Sequence, residues 1–142
     1  MATNSFVYCI YINASAEQLW EALTESEFIK QYWGGVTMES DWKAGSRLKM
    51  TVPQAGGRQM EGEILISDPP NLLSYTGIGG SKSSVTFDIR QVSPSEVKLL
   101  ITHEGFDNNA RSMLSEGWYA ILSSLKTLLE TGKALDHSWW RG

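Results

Sequence analysis

The last third of this sequence constrains the fold more than any other part. A strand ending in Ile101-Thr102-His103-Glu104-Gly105-Phe106 runs into one amphipathic helix, predicted over residues 109–131. Within it Leu114, Trp118, Ile121, Leu122, Leu125, Leu128 and Leu129 recur at helical spacing and make a single apolar stripe. Gly132 follows at the position of a left-handed C-terminal cap. At 1.5 Å per residue such a helix is about 35 Å long, the breadth of a small domain. Everything else has to pack around it. Gly117 sits inside the helix and costs about 1 kcal/mol against alanine. A glycine there either lets a strand approach closely or leaves space for a ligand.

The rest of the chain alternates with a period of two, the signature of half-buried strands. Residues 6–13 place Phe6, Tyr8, Ile10 and Ile12 on one face. Ser15 with Gln18 forms a capping box, and Ala16, Leu19, Trp20 and Leu23 follow at helical spacing. Thr24 with Glu27 repeats the box, so two short helices are expected, over 16–23 and 25–31, ending at Trp33-Gly34-Gly35. Six strands are expected after them, over 36–40, 47–52, 59–67, 72–76, 84–92 and 96–104. Leu48, Met50 and Val52 share a face, as do Met60, Gly62, Ile64 and Ile66, and as do Val85, Phe87 and Ile89. In the last strand Val97, Leu99, Ile101 and His103 face together. Ala44-Gly45-Ser46, Ala55-Gly56-Gly57, Gly77 to Ser81 and Ser93-Pro94-Ser95 supply turn chemistry between strands. Connections this short favour antiparallel neighbours.

Composition narrows the class. The 142 residues fit one domain, with a core expected over 6–132 and a tail over 133–142. No apolar run reaches the roughly 18 residues of a membrane helix, and no signal peptide is read before Phe6. The single cysteine, Cys9, excludes an internal disulfide framework and fits a cytoplasmic location. A net charge of −4 gives no electrostatic footprint for nucleic acid.

Strong catalytic motifs are missing. There is no CxxC, HExxH or phosphate loop, and in Gly77-Ile78-Gly79-Gly80-Ser81-Lys82 a lysine stands where a dinucleotide motif needs its third glycine. Two histidines and one cysteine do not make a transition-metal site, so neither a metal nor a cofactor is expected. Glu61 and Glu63 share a strand face, roughly 6.5 Å apart, a spacing that paired-carboxylate catalysis can use. They oppose Met60 and Ile64, which makes them solvent-facing. Asp41 and Lys43 flank Trp42 in a loop and are read as a turn salt bridge.

His103 is the most informative polar residue. Its strand phase points it at the final helix, where it either orients a ligand and moves a proton or is simply tied to backbone. Trp33, Met38, Met50, Met60, Tyr75, Phe87, Phe106 and Trp118 converge with it if the sheet curves, with Leu122 one helical turn further on. Aromatic and thioether side chains suit an adaptable apolar pocket, and each of them is equally at home in plain core.

The order strand, two short helices, six strands, long helix resembles the helix-grip fold. Tyr11-Ile12-Asn13-Ala14-Ser15-Ala16-Glu17-Gln18-Leu19-Trp20-Glu21-Ala22-Leu23-Thr24 resembles the opening of SRPBCC (START-like) proteins related to the activator of heat shock protein 90 ATPase. Tyr32-Trp33-Gly34, Ser40-Asp41-Trp42-Lys43-Ala44-Gly45-Ser46, Asp68-Pro69-Pro70 and Thr102-His103-Glu104-Gly105-Phe106 resemble later parts of that family, and Gly117-Trp118 its last helix. The resemblance implies an α+β fold of the START-like, Bet v-like kind. In it a curved antiparallel sheet of six to seven strands wraps a long C-terminal helix, with two short helices after the first strand. It also implies a cavity between sheet and helix. The short form resembles bacterial members, and the ATPase-stimulating role belongs to longer proteins.

Three functions follow as expectations. The first is binding of a hydrophobic or amphipathic small molecule, walled by Trp33, Phe87 and Trp118 and oriented by His103 and Tyr75. The second is a cyclase- or aromatase-like enzyme with His103 and Tyr75 as its catalytic groups. The third is an interaction module for a chaperone or another protein, using Trp139 and Trp140. Neither nucleic acid nor membrane insertion is expected, and the oligomeric state is left open.

Overall fold

The computed structural model describes residues 5–53, 56–78 and 80–135, without the side chains at 80 and 81. The expected turn residue Ala55 and the tail residues Trp139 and Trp140 lie outside the described residues.

Strand β1 (Ser5–Ile12) leads through Ser15 into α1 (Ala16–Thr24) and α2 (Ser26–Tyr32). Six strands follow: β2 (Thr37–Glu39), β3 (Arg47–Val52), β4 (Arg58–Asp68), β5 (Leu72–Gly77), β6 (Gly80–Ser93) and β7 (Glu96–Glu104). A 3₁₀ turn at Asn108–Ala110 then feeds α3 (Arg111–Thr131). The sheet order is β1-β7-β6-β5-β4-β3-β2, and every pairing is antiparallel. Strands β2 to β7 form a meander, because each turn is too short for a crossover. The segment α1–α2 carries the chain from β1 at one edge to β2 at the other. Helix α3 lies over the concave face, and its 21 residues span about 32 Å.

Local chemistry explains most boundaries. The Ser15 hydroxyl accepts from the Gln18 N–H, and the Gln18 side chain accepts from the Ser15 N–H, which completes the expected capping box. Gly132 caps α3 in the left-handed conformation, its N–H donating to Leu128 O at 2.8 Å. The second capping box does not form. Thr24 remains the last residue of α1 and spends its hydroxyl on Trp20 O, 2.9 Å away. Glu25 is the N-cap of α2 and makes no side-chain cap bond.

Strand β4 departs from simple alternation. Ile64 pairs with Tyr75, yet Ile66 pairs with Ser74, so a bulge falls between them. The extra residue flips the phase. Ile66, expected on the inner face, is therefore 42% exposed. At the next turn β6 begins at Gly80, four residues before the expected start, and Gly77 pairs with Gly80. Gly62 makes this corner possible. A Cβ there would lie 1.9 Å from the Thr76 carbonyl oxygen.

Polar side chains of α3 fix its direction along β1. Arg111 Nη2 donates to Ser5 O (3.0 Å), Lys126 Nζ donates to Tyr11 O (2.7 Å), and Glu130 Oε2 accepts from Asn13 N (2.8 Å). The helix thus runs parallel to β1 and satisfies backbone groups of an edge strand that would otherwise be open to pairing. Among the described residues no helix is long and apolar enough to cross a membrane.

Candidate functional site

Alternation along β5, β6 and β7 puts Tyr75, Val85 and His103 in one register row, and Leu73, Phe87 and Ile101 in the next. All six face α3 and are buried. Trp118, from the middle of the helix, descends onto these rows. Its ring meets Trp33 at 5.4 Å, His103 at 5.9 Å and Phe87 at 6.2 Å, each edge to face. Phe87 in turn meets Tyr75 (5.7 Å), and Tyr75 meets Trp42 (6.1 Å). Phe106 packs on the other side of His103, at 5.2 Å. These rings occupy the space between helix and sheet.

A small polar cluster is enclosed in this wall. The Trp118 indole Nε1–H donates to His103 Nδ1 at 3.0 Å. An indole nitrogen can only donate, so Nδ1 is unprotonated and the imidazole proton sits on Nε2. That Nε2 lies 2.9 Å from the Ile78 carbonyl oxygen and 2.5 Å from Ser83 Oγ. The Ser83 hydroxyl also donates to Ile78 O, at 2.6 Å. His103 and Ser83 are 0% and 1% exposed, and each polar atom of the pair has a partner. Burial pushes the His103 imidazole below its ordinary range, with the Ile78 carbonyl opposing that shift. A second proton, on Nδ1, would point at the indole N–H.

The motif Thr102-His103-Glu104-Gly105-Phe106 has a geometric reason. Gly105 adopts φ +79°, and a Cβ there would lie 2.8 Å from the Lys82 carbonyl oxygen. Only glycine lets the chain leave β7 so close to β6, and that exit aims Phe106 back at His103.

Of the residues singled out from sequence, Trp33, Tyr75, Phe87, His103, Phe106 and Trp118 are brought into one aromatic group. Met38, Met50 and Met60 form a cross-strand row on β2, β3 and β4. Tyr75 joins that row to the rings, its hydroxyl lying 3.8 Å from Met38 Sδ. Leu122 is buried one helical turn beyond Trp118. Trp33 and Met60 are half-buried; the other eight are buried. Beneath Leu48, Met50, Met60, Gly62 and Gly77 a narrow depression is too small for a water molecule. A wider cleft of about 410 Å³ lies outside the core, between Trp20, Trp42, Asp41, Lys43 and Pro69.

Ser83 and the Ile78 carbonyl were not foreseen from sequence. The signal for Ser83 is its phase, which it shares with Val85 and Phe87, but the strand expected over 84–92 starts one residue beyond it. Asp41 does not form the expected ion pair with Lys43 among the described residues. Its carboxylate accepts from the Lys43 backbone N–H at 3.1 Å, and the Ser46 hydroxyl, then that N–H, hold it below the usual range. Glu61 and Glu63 are exposed, as expected, opposite Lys49 and Arg47.

As arranged, the cluster offers hydrogen-bond donors and not a free base. His103 Nδ1 is engaged by Trp118. Burial pushes the Tyr75 phenol well above its ordinary range, and its Cα lies two strands from that of His103, about 10 Å. No cluster of three His, Cys, Asp or Glu suited to a metal is found among the described residues.

Residues 13–130 match the family model described as Activator of Hsp90 ATPase homolog 1-like protein, and the chain belongs to that family. No curated protein matches the sequence. Similar solved structures include a conserved protein of unknown function from Enterococcus faecalis, with TM-score 0.80 and 20% identity over 98% of this chain and 81% of that one. The Aha1 dimer from Colwellia psychrerythraea has TM-score 0.75 and 22% identity, over 92% and 99%. A protein from Cytophaga hutchinsonii has TM-score 0.74 and 26% identity, over 91% and 96%. These likenesses bear out the helix-grip architecture.

Proposed function

We propose that this family member binds a hydrophobic or amphipathic small molecule between the sheet and α3, with the aromatic rings parting to admit it. The observation that carries this reading is the composition of one half of that interface. A buried polar cluster, His103–Ser83–Trp118, is set in a wall of rings and thioethers. A core built for stability alone gains little from a buried histidine, whose desolvation has to be offset by several hydrogen bonds. Pockets with apolar walls and a few convergent polar groups are the usual form of small-molecule sites. Trp33 and Met60, the two half-buried members of the set, are the points nearest solvent and support entry past one of them. The Met38, Met50 and Met60 side chains can repack around different shapes, because thioethers have three soft torsions.

Native mass spectrometry of freshly purified protein tests this directly. A mass excess that vanishes on denaturation is the expected result and weighs the bound molecule. A bare-chain mass, together with no saturable binding of aromatic hydrophobes in titration, would overturn the reading.

A further inference from the structure

We infer that the polar pole of this interface recognises an uncharged carbonyl oxygen, and that the Ile78 carbonyl of the β5–β6 turn occupies the place such a ligand group would take. The inference rests on the proposed binding role and specifies the chemistry of its ligand.

Counting donors and acceptors leads there. The Trp118 indole fixes Nδ1 of His103 as an acceptor, so Nε2 carries a proton. The Ser83 hydroxyl oxygen lies 2.5 Å from Nε2 and accepts from that N–H, while its own proton goes to Ile78 O. The Nε2–H, shared with Ser83 Oγ, and the Ser83 O–H both reach one atom, Ile78 O, at 2.9 and 2.6 Å. Two N–H or O–H groups aimed at a single carbonyl oxygen match its two lone pairs. Any other group reaching this position must also accept twice. An ammonium group, which can only donate, meets two like donors there and is disfavoured.

Charge narrows the class further. A carboxylate buried among Phe106, Phe87 and Trp118 needs a cation to offset its desolvation. His103 cannot become that cation cheaply, since its second proton would face the Trp118 N–H. The Arg111 guanidinium lies 5.5 Å from the Phe106 ring centre and is bonded to Ser5 O, and no ion pair to His103 is found among the described residues. The pole is therefore matched to a ketone, aldehyde, ester or amide oxygen on an apolar body, and mismatched to a fatty or aromatic acid.

The holder of the stand-in oxygen is itself displaceable. Ile78 follows Gly77, which has φ +115° and closes the β5–β6 turn against Gly80. Ile78 is half-buried and lies outside both strands that it connects. The Ile78 carbonyl belongs to this turn, whereas His103 is held in the β6–β7 ladder, so an incoming carbonyl oxygen exchanges with a turn group and not with a strand group.

Three matched probes test the inference: 2-acetylnaphthalene, 2-naphthoate and 2-ethylnaphthalene, titrated calorimetrically into the full chain at pH 7.5. The ketone is expected to bind about tenfold or more tighter than either of the others, the worth of one or two satisfied buried donors. Ser83→Ala is expected to bring the ketone down toward the ethyl compound. The carbonyl stretch of the ketone bound to the unmodified chain gives a readout that needs no variant: it should fall below its value in hexane, as hydrogen bonding requires. Equal affinity for ketone and ethyl compound, a stretch unshifted from hexane, or tighter binding of naphthoate overturns the carbonyl assignment and leaves hydrophobe binding standing. Absence of saturable binding by all three overturns both.

Discussion

The two halves of α3 meet the same sheet with different chemistry. The C-terminal half presents Leu122, Leu125 and Leu128, all buried, near the end of β1 that Lys126 and Glu130 bind. The sheet residues at that end are Ile10, Ile12, Ile89, Val97 and Leu99, with Gln91 beside Val97 spending its amide on the backbone of Ala16 and Glu96. Gly132 closes this half, and Ser124 Oγ accepts from the Leu135 N–H (3.2 Å), tying down the chain beyond it. The N-terminal half presents Trp118 to His103, Phe87 and Trp33, contains Gly117, and begins at Ala110 without a side-chain cap. One half is an aliphatic core. The other is an aromatic and polar arrangement, entered through a 3₁₀ turn that Asp107 caps by accepting from the Asn109 N–H. Both ends of the helix are tied to β1, by Arg111 at one and Lys126 at the other, so the difference between the halves lies in what they bury and not in whether they are anchored.

The largest expected effect tests the aliphatic half. Leu125 is 0% exposed, and Leu125→Ala should lower unfolding free energy by about 2–5 kcal/mol, the range for deleting a buried aliphatic side chain. Denaturant unfolding measures it. The same variant should keep the probe preference for the ketone, because Leu125 lies two turns from Trp118. Loss of that preference at retained fold would break the division of labour between the halves.

Next comes the aromatic half. Trp118→Phe removes the N–H that His103 Nδ1 accepts and keeps an aromatic ring in place. A stability loss of about 1–3 kcal/mol is expected from the unsatisfied nitrogen and the lost volume. The sharper readout is titration of the His103 ring protons by NMR. With Nδ1 free to take a proton, its pKa should move up toward the ordinary histidine range. An unchanged titration would show that the indole bond does not set the tautomer.

A pH effect of smaller size follows from the same group. Burial lowers the folded-state pKa of His103 below its unfolded value of about 6.5. The unfolded chain therefore binds more protons as pH falls through that value, and stability rises with pH across the window. The contribution is fully present above about pH 6.5 and is lost as pH drops toward the folded pKa. Facing His103 are Ser83, Ile78, Phe106 and Trp118, none of them charged near neutrality. Melting temperature should fall more between pH 7.5 and pH 5 in the unmodified chain than in His103→Gln. Parallel falls would place the acid sensitivity elsewhere.

The two halves also differ in how far they could be read from sequence. The aliphatic half was legible, because helical spacing from Leu122 to Leu129 and alternation from Val97 to Ile101 each report burial on their own. The strands and the C-terminal glycine cap followed from the same periodicities. What escaped were features that depend on three-dimensional phase. The bulge before Ile66 turned a predicted inner residue outward. Thr24 matched a capping pattern and bonded backward instead. The partners of His103 were invisible for a related reason. Ser83 lies in a serine-rich stretch that reads as turn, and a carbonyl such as that of Ile78 carries no residue-type signal at all. Aromatic residues announced a cluster, but not whether its rings would stand apart or touch.

Gly117 gives the smallest effect and the one that bears most directly on the aromatic half. It lies inside α3, yet a Cβ built there would meet nothing within 4 Å beyond its own helix. The expectation that a strand approaches this glycine is therefore not met. With no steric reason for glycine and no positive φ, Gly117→Ala should stabilise the fold by up to about 1 kcal/mol through helix propensity alone. Thermal melting at fixed pH measures that gain. If the N-terminal half is kept loose so that Trp118 can move, stiffening the helix next to it has a second consequence. The same variant should bind 2-acetylnaphthalene more slowly at equal or modestly weaker affinity, seen in stopped-flow fluorescence. A stabilised variant with unaltered association would mean that the helix does not flex on entry, and would assign the opening to the β5–β6 turn and Trp33 instead.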